Sequence, residues 1–111
     1  MRKQYNVKIT KYALSQMKTI RDYIADELLA PQAAYDLFLE MKKTAASLEN
    51  MPERNPLVDA EKWRKQGVRK IVVKNFIMYY WADDGHMTVQ ITAVVYRKRN
   101  QLAELGKMEL E

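Results

Sequence analysis

The chain of 111 residues contains no cysteine, which excludes a disulfide framework, a thiol nucleophile and thiolate metal sites together. That absence suits a reducing compartment. Histidine occurs once, at His86 beside Gly85, and one imidazole without clustered carboxylates makes no metal site, so it reads as a solvated turn residue. Ser15 and Ser47 fall within predicted helices and have no base close in sequence, which argues against a serine nucleophile. Glycine and proline number three each, and neither a glycine-rich phosphate loop nor a dinucleotide fingerprint is present. No run approaches the roughly 20 apolar residues that span a bilayer. The opening residues Met1-Arg2-Lys3-Gln4-Tyr5 lack the apolar stretch of a secretory signal. A cytoplasmic protein without membrane association, metal or cofactor is therefore expected.

What the chain does have is enough apolar material, 48% of residues, for one modest core and one domain covering residues 1–111. Its 19 Lys and Arg against 14 Asp and Glu leave a net charge of +5. Such a balance favours an acidic partner: nucleic acid, an acidic protein segment or an anionic membrane surface.

The apolar periods predict the elements. Tyr5, Val7 and Ile9 alternate with polar residues as in a half-buried strand. From Lys11 the period lengthens: Ala13, Met17, Ile20, Ile24 and Leu28 draw one stripe on a helix of about 20 residues that Thr10 caps. Pro31 suits the first turn of a second helix, where its missing N–H costs nothing, and the stripe Ala34, Leu37, Phe38, Met41, Ala45, Leu48 follows. These helices form a hairpin. Residues 56–66 show no clear period and are expected as a loop with one helical turn, packed by Trp63. Three strands then run over about 68–73, 76–82 and 87–95. Their turns are Lys74-Asn75, where asparagine tolerates positive φ, and Asp83-Asp84-Gly85. The tail from Asn100 is expected to add a short helix. The order β-α-α-β-β-β gives an α+β domain in which the hairpin covers one face of an antiparallel sheet and the other face stays open.

The candidate chemistry is cationic and aromatic. Arg69, Lys70 and Lys74 come from the second strand, Tyr79 and Tyr80 from the third, and Tyr96, Arg97, Lys98 and Arg99 close the fourth. Antiparallel pairing puts Lys74 and Tyr96 to Arg99 at one end of the sheet, with Arg69 and Tyr80 toward the other. Arginine and lysine neutralise a phosphodiester and its transition state, and a tyrosine hydroxyl donates, stacks or shuttles a proton; no metal is required. The alternative is a basic patch that docks an acidic partner, or charge that serves only solubility at a strand end.

The ordered stretches Tyr5-Asn6-Val7-Lys8-Ile9-Thr10, Ile20-Arg21-Asp22-Tyr23-Ile24-Ala25, Pro31-Gln32-Ala33-Ala34, Leu48-Glu49-Asn50-Met51-Pro52, Gly67-Val68-Arg69-Lys70, Asn75-Phe76-Ile77-Met78-Tyr79-Tyr80 and Val94-Val95-Tyr96-Arg97-Lys98-Arg99-Asn100 resemble the RelE/ParE superfamily of bacterial type II toxins. The resemblance spans roughly Tyr5 to Leu105. It implies a growth-inhibiting toxin held inactive by a cognate antitoxin that wraps it with extended and helical segments. RelE-like members cut mRNA on the ribosome without a metal, and ParE-like members inhibit DNA gyrase without being enzymes. A member that keeps the fold and lacks toxicity is a third possibility.

On the nuclease reading, the resemblance makes Lys70, Lys74, Lys98 and Arg99 phosphate and transition-state ligands, Tyr96 or Tyr80 the proton-transfer group, and Arg69 and Arg97 nucleic-acid contacts. Two positions depart from the nuclease pattern: Ile77 stands where many members have arginine, and Tyr96 where many have histidine. The ribosome with its mRNA is the partner on this reading, and DNA gyrase on the other. The hairpin stretches look more like the gyrase-inhibiting branch.

Overall fold

The computed structural model describes residues 4–98 and Met108. Strand β1 (Asn6–Ile9) leads through Thr10 into helix α1 (Lys11–Asp22), and the Thr10 hydroxyl accepts the Ala13 N–H at 3.2 Å as the N-cap. Helix α1 does not run on for the expected length. Its last turn widens into a π-helical segment, Tyr23–Glu27, and the chain reverses through Leu29, a non-glycine residue at φ 51°. Helix α2 (Pro31–Ser47) starts on Pro31 and buries Ala34, Leu37, Met41 and Ala45. A 3-10 turn (Pro52–Arg54) follows, and then the six-residue helix α3 (Glu61–Gln66), whose buried member is Trp63. Gly67 ends α3 at φ 91°, a left-handed position that spares glycine the Cβ clash.

Strands β2 (Val68–Val73), β3 (Phe76–Asp83) and β4 (Thr88–Tyr96) form the meander. The four-stranded sheet has the order β1-β4-β3-β2, with β1 parallel to β4 and the other pairs antiparallel. In the β2–β3 turn the positive φ, 53°, falls on Lys74 rather than on Asn75. The register of β3 against β4 slips between Tyr79 and Tyr80, leaving Thr92 without a strand partner. The Thr92 hydroxyl donates to the Tyr79 carbonyl at 3.2 Å. Because side chains alternate with period two, this bulge reverses the facing of β4. Val89 and Ile91 point to the hairpin before the slip, and Ala93 and Val95 point away from it afterwards.

Two apolar clusters result. The larger joins Met17, Leu37, Met41 and Leu48 of the hairpin region to Val73, Met78, Tyr80, Val89, Ile91 and Val94 of the sheet. The smaller, on the opposite face, gathers Val58, Trp63, Val68, Tyr79, Ala93, Val95 and Met108. The second sheet face is therefore not open as the sequence pattern suggests. The segment around Val58 and Trp63, together with Met108, packs over it, an outcome of tertiary packing that no local period announces. The expected tail helix lies outside the described residues.

Candidate functional site

The tight β2–β3 turn and the end of β4 meet at one end of the sheet. Phe76 pairs with Tyr96, their ring centroids 5.6 Å apart, and the Arg97 N–H donates to the Asn75 carbonyl at 2.8 Å. This pairing brings Lys74, Tyr96, Arg97 and Lys98 together, all exposed. Arg99 lies outside the described residues. Beside this end, Asn55, Pro56, Lys70, Ile71, Val72, Ile77 and Arg97 line a cleft of about 460 Å³. Lys70 also approaches the Asp59 carboxylate at 4.0 Å. The cleft thus sets two cations, Lys70 and Arg97, among apolar side chains and the Asn55 amide.

Arg69 and Tyr80 face each other across β2 and β3, on the hairpin side of the sheet. Tyr80 is fully buried. Its hydroxyl donates to the Pro52 carbonyl and accepts from Asn55 Nδ2 at 3.0 Å. Burial pushes its pKa up, against the opposing effects of the Asn55 hydrogen bond and the nearby Arg69 and Arg54 charges. Arg69 donates to the Asn55 carbonyl at 2.6 Å. The two side chains clamp the 52–55 segment and do not reach the cationic end. The structure therefore groups Lys74, Tyr96, Arg97 and Lys98, sets Lys70 on the adjoining cleft, and separates Arg69 and Tyr80 from them.

Asn55, Pro56 and Val72 join the site without a signal of their own in residue chemistry. The available signal is the proline just before Leu57-Val58, a pattern that fits an edge-strand start. Leu57 bridges to Arg69, the Val58 N–H donates to the Val68 carbonyl at 3.0 Å, and the Lys70 N–H donates to the Pro56 carbonyl at 3.1 Å. Residues 56–58 thereby cover the first half of the outer edge of β2.

His86 stands at the opposite end of β3, its Nδ1 2.7 Å from Asp83 Oδ2. Nearby, the Tyr5 hydroxyl donates to Asp84 Oδ1 at 2.7 Å, and that bond, followed by burial, raises the Tyr5 pKa to about 12. Among the described residues no group of three or more His, Asp or Glu side chains is placed to hold a metal.

Residues 7–101 match the family model for the ParE toxin of type II toxin–antitoxin systems, parDE. The fold is similar to that of the chromosomal ParDE toxin–antitoxin system from P. aeruginosa, with a TM-score of 0.68 and 17% identity over 84% of this chain and 96% of that one. The toxin–antitoxin complex RelBE2 from Mycobacterium tuberculosis gives 0.60 and 21%, covering 85% of this chain and 99% of its counterpart. A mutant of the E. coli toxin RelE in the free state gives 0.60 and 14%, covering 91% and 92% respectively. At these identities the structural likeness is one of fold. No curated protein matches the chain significantly in sequence.

Proposed function

The chain belongs to the ParE toxin family of type II toxin–antitoxin systems, and on that footing we propose that it arrests growth by binding DNA gyrase rather than by cutting RNA, with a cognate antitoxin holding it inactive. The observation that carries this reading is the composition of the cleft. Its lining is two cations among apolar and amide neighbours, Ile77 included. Phosphodiester cleavage needs a group that moves a proton as well as cations that hold the phosphate. Of the two tyrosines considered for that step, Tyr80 is buried with its hydroxyl bound to the Pro52 carbonyl. Tyr96 is exposed, and its ring meets that of Phe76 at a tilt of 57°.

A specific observation keeps a nuclease reading in view: Lys74, Tyr96, Arg97 and Lys98 converge at one end of the sheet beside Lys70. Induction of the chain in bacteria separates the two. The gyrase reading expects growth arrest with an SOS response, altered plasmid supercoiling and intact mRNA. Rapid cleavage of translated mRNA, abolished by Lys98→Ala combined with Arg99→Ala, would replace it with the endoribonuclease. Unimpaired growth would contradict both.

A further inference from the structure

The charge of the chain is unevenly spread. Residues 22–40, which run from the end of α1 through the reversal and the first ten residues of α2, hold five carboxylates and no lysine or arginine. Asp22 meets the neighbouring Arg21, and Asp36 accepts from Gln32 Nε2 at 2.9 Å. Asp26, Glu27 and Glu40 meet no cation among the described residues. Apolar surface gathers on the same segment. Tyr23, Leu28, Leu29, Tyr35 and Leu39 are five of the nine large apolar side chains left exposed among the described residues, and such a cluster marks a contact surface where scattered ones would not.

The backbone supplies an independent observation. The π-helical segment Tyr23–Glu27 buries none of its residues, and widened turns of this kind are frequent at functional sites. Leu29 is held at φ 51° with 82% of its surface exposed. Glycine would make that turn without strain, and the core gains nothing from the leucine, so its side chain has work to do outside the fold.

We propose that the hairpin tip is a second contact surface for the toxin's target, opposite in sign to the cationic end: Leu29 enters an apolar socket, and Asp26 and Glu27 meet lysines or arginines around it. The inference rests on the gyrase reading above and adds to it a surface for the target. An enzyme that grips DNA presents cations to the phosphates, and a basic protein surface of that kind is what an acidic tip fits. Nucleic acid itself is repelled by the five carboxylates, so the same field that attracts the protein excludes its substrate from this contact.

The test is the binding of the purified chain to purified gyrase, followed by biolayer interferometry at low and high salt. Leu29→Gly is expected to weaken binding about tenfold while raising the midpoint of urea denaturation, which separates a lost contact from a lost fold. Glu27→Lys is expected to slow association about threefold or more, most strongly at low salt. Glu61→Lys on α3 changes the net charge equally and is expected to leave binding unaltered. Unchanged gyrase binding in both tip variants overturns the proposal. A loss confined to the complex with the product of the adjacent reading frame, or to self-association seen by light scattering, also overturns it, because the tip then serves the antitoxin or a second copy. If the parent chain does not bind gyrase, the gyrase reading fails and growth arrest on induction decides the surface. Arrest relieved by both tip variants at parental protein levels sustains a target contact there, and arrest that persists overturns it. A parent chain that neither binds gyrase nor arrests growth removes both readings.

Discussion

At the residue scale, the hydroxyl of Tyr80 shows how a side chain that looks reactive in sequence becomes a structural tether. It sits in the core, bound to Pro52 and Asn55, and with Arg69 it fixes the loop that forms one wall of the cleft. Tyr80→Phe leaves the buried Pro52 carbonyl without its donor, and a lost buried hydrogen bond costs about 1–2 kcal/mol. Urea denaturation of this variant is expected to show a lower midpoint at unchanged slope. Three tyrosines also set an alkaline limit. Tyr5 is raised to about 12 by its bond to Asp84, Tyr79 to about 12 by burial, and Tyr80 is raised by burial. The folded state thus holds these protons more tightly than the unfolded chain, whose tyrosines titrate near 10. Their stabilising effect is complete below pH about 10 and is lost as pH rises toward about 12. Unfolding followed by circular dichroism against pH is expected to show this decline, and Tyr5→Phe to make it shallower.

At the element scale, the features legible in the sequence are those set by near neighbours. Thr10 caps α1, Pro31 opens α2, and the stripe Ala34, Leu37, Met41, Ala45 is buried, because caps and helical periods act over one or two turns. The convergence of Lys74 with Tyr96, Arg97 and Lys98 was legible too, since a two-residue turn leaves an antiparallel meander little choice of ends. The rest depends on residues distant in sequence. Tyr79, Tyr80 and Met78 are all buried, so alternation along β3 cannot tell a core tyrosine from a working one. The slip opposite Thr92 and the cover supplied by Val58, Trp63 and Met108 likewise leave no local trace. The hairpin reversal carries its own test. Leu29 holds φ 51° with 82% of its surface exposed, a left-handed position that costs most side chains energy. Leu29→Gly is expected to raise stability by about 0.5–1 kcal/mol in denaturant titration, the relief of strain exceeding the added freedom of the unfolded chain.

At the scale of the whole molecule, the sheet separates two kinds of surface. The β3–β4 turn carries the Tyr5–Asp84 and His86–Asp83 contacts, and the opposite end carries the cations and the cleft. A net charge of +5 favours acidic partners, and two of the cations, Lys70 and Arg97, line the cleft. On the gyrase reading proposed above, the antitoxin and the target compete for this cationic end. The most direct measurement is the conversion of relaxed plasmid to supercoiled plasmid by purified gyrase and ATP as this chain is titrated in. The account predicts that supercoiling falls with added protein and recovers when antitoxin is supplied, while translated mRNA stays intact. Undiminished supercoiling together with cleavage of ribosome-bound mRNA would contradict it.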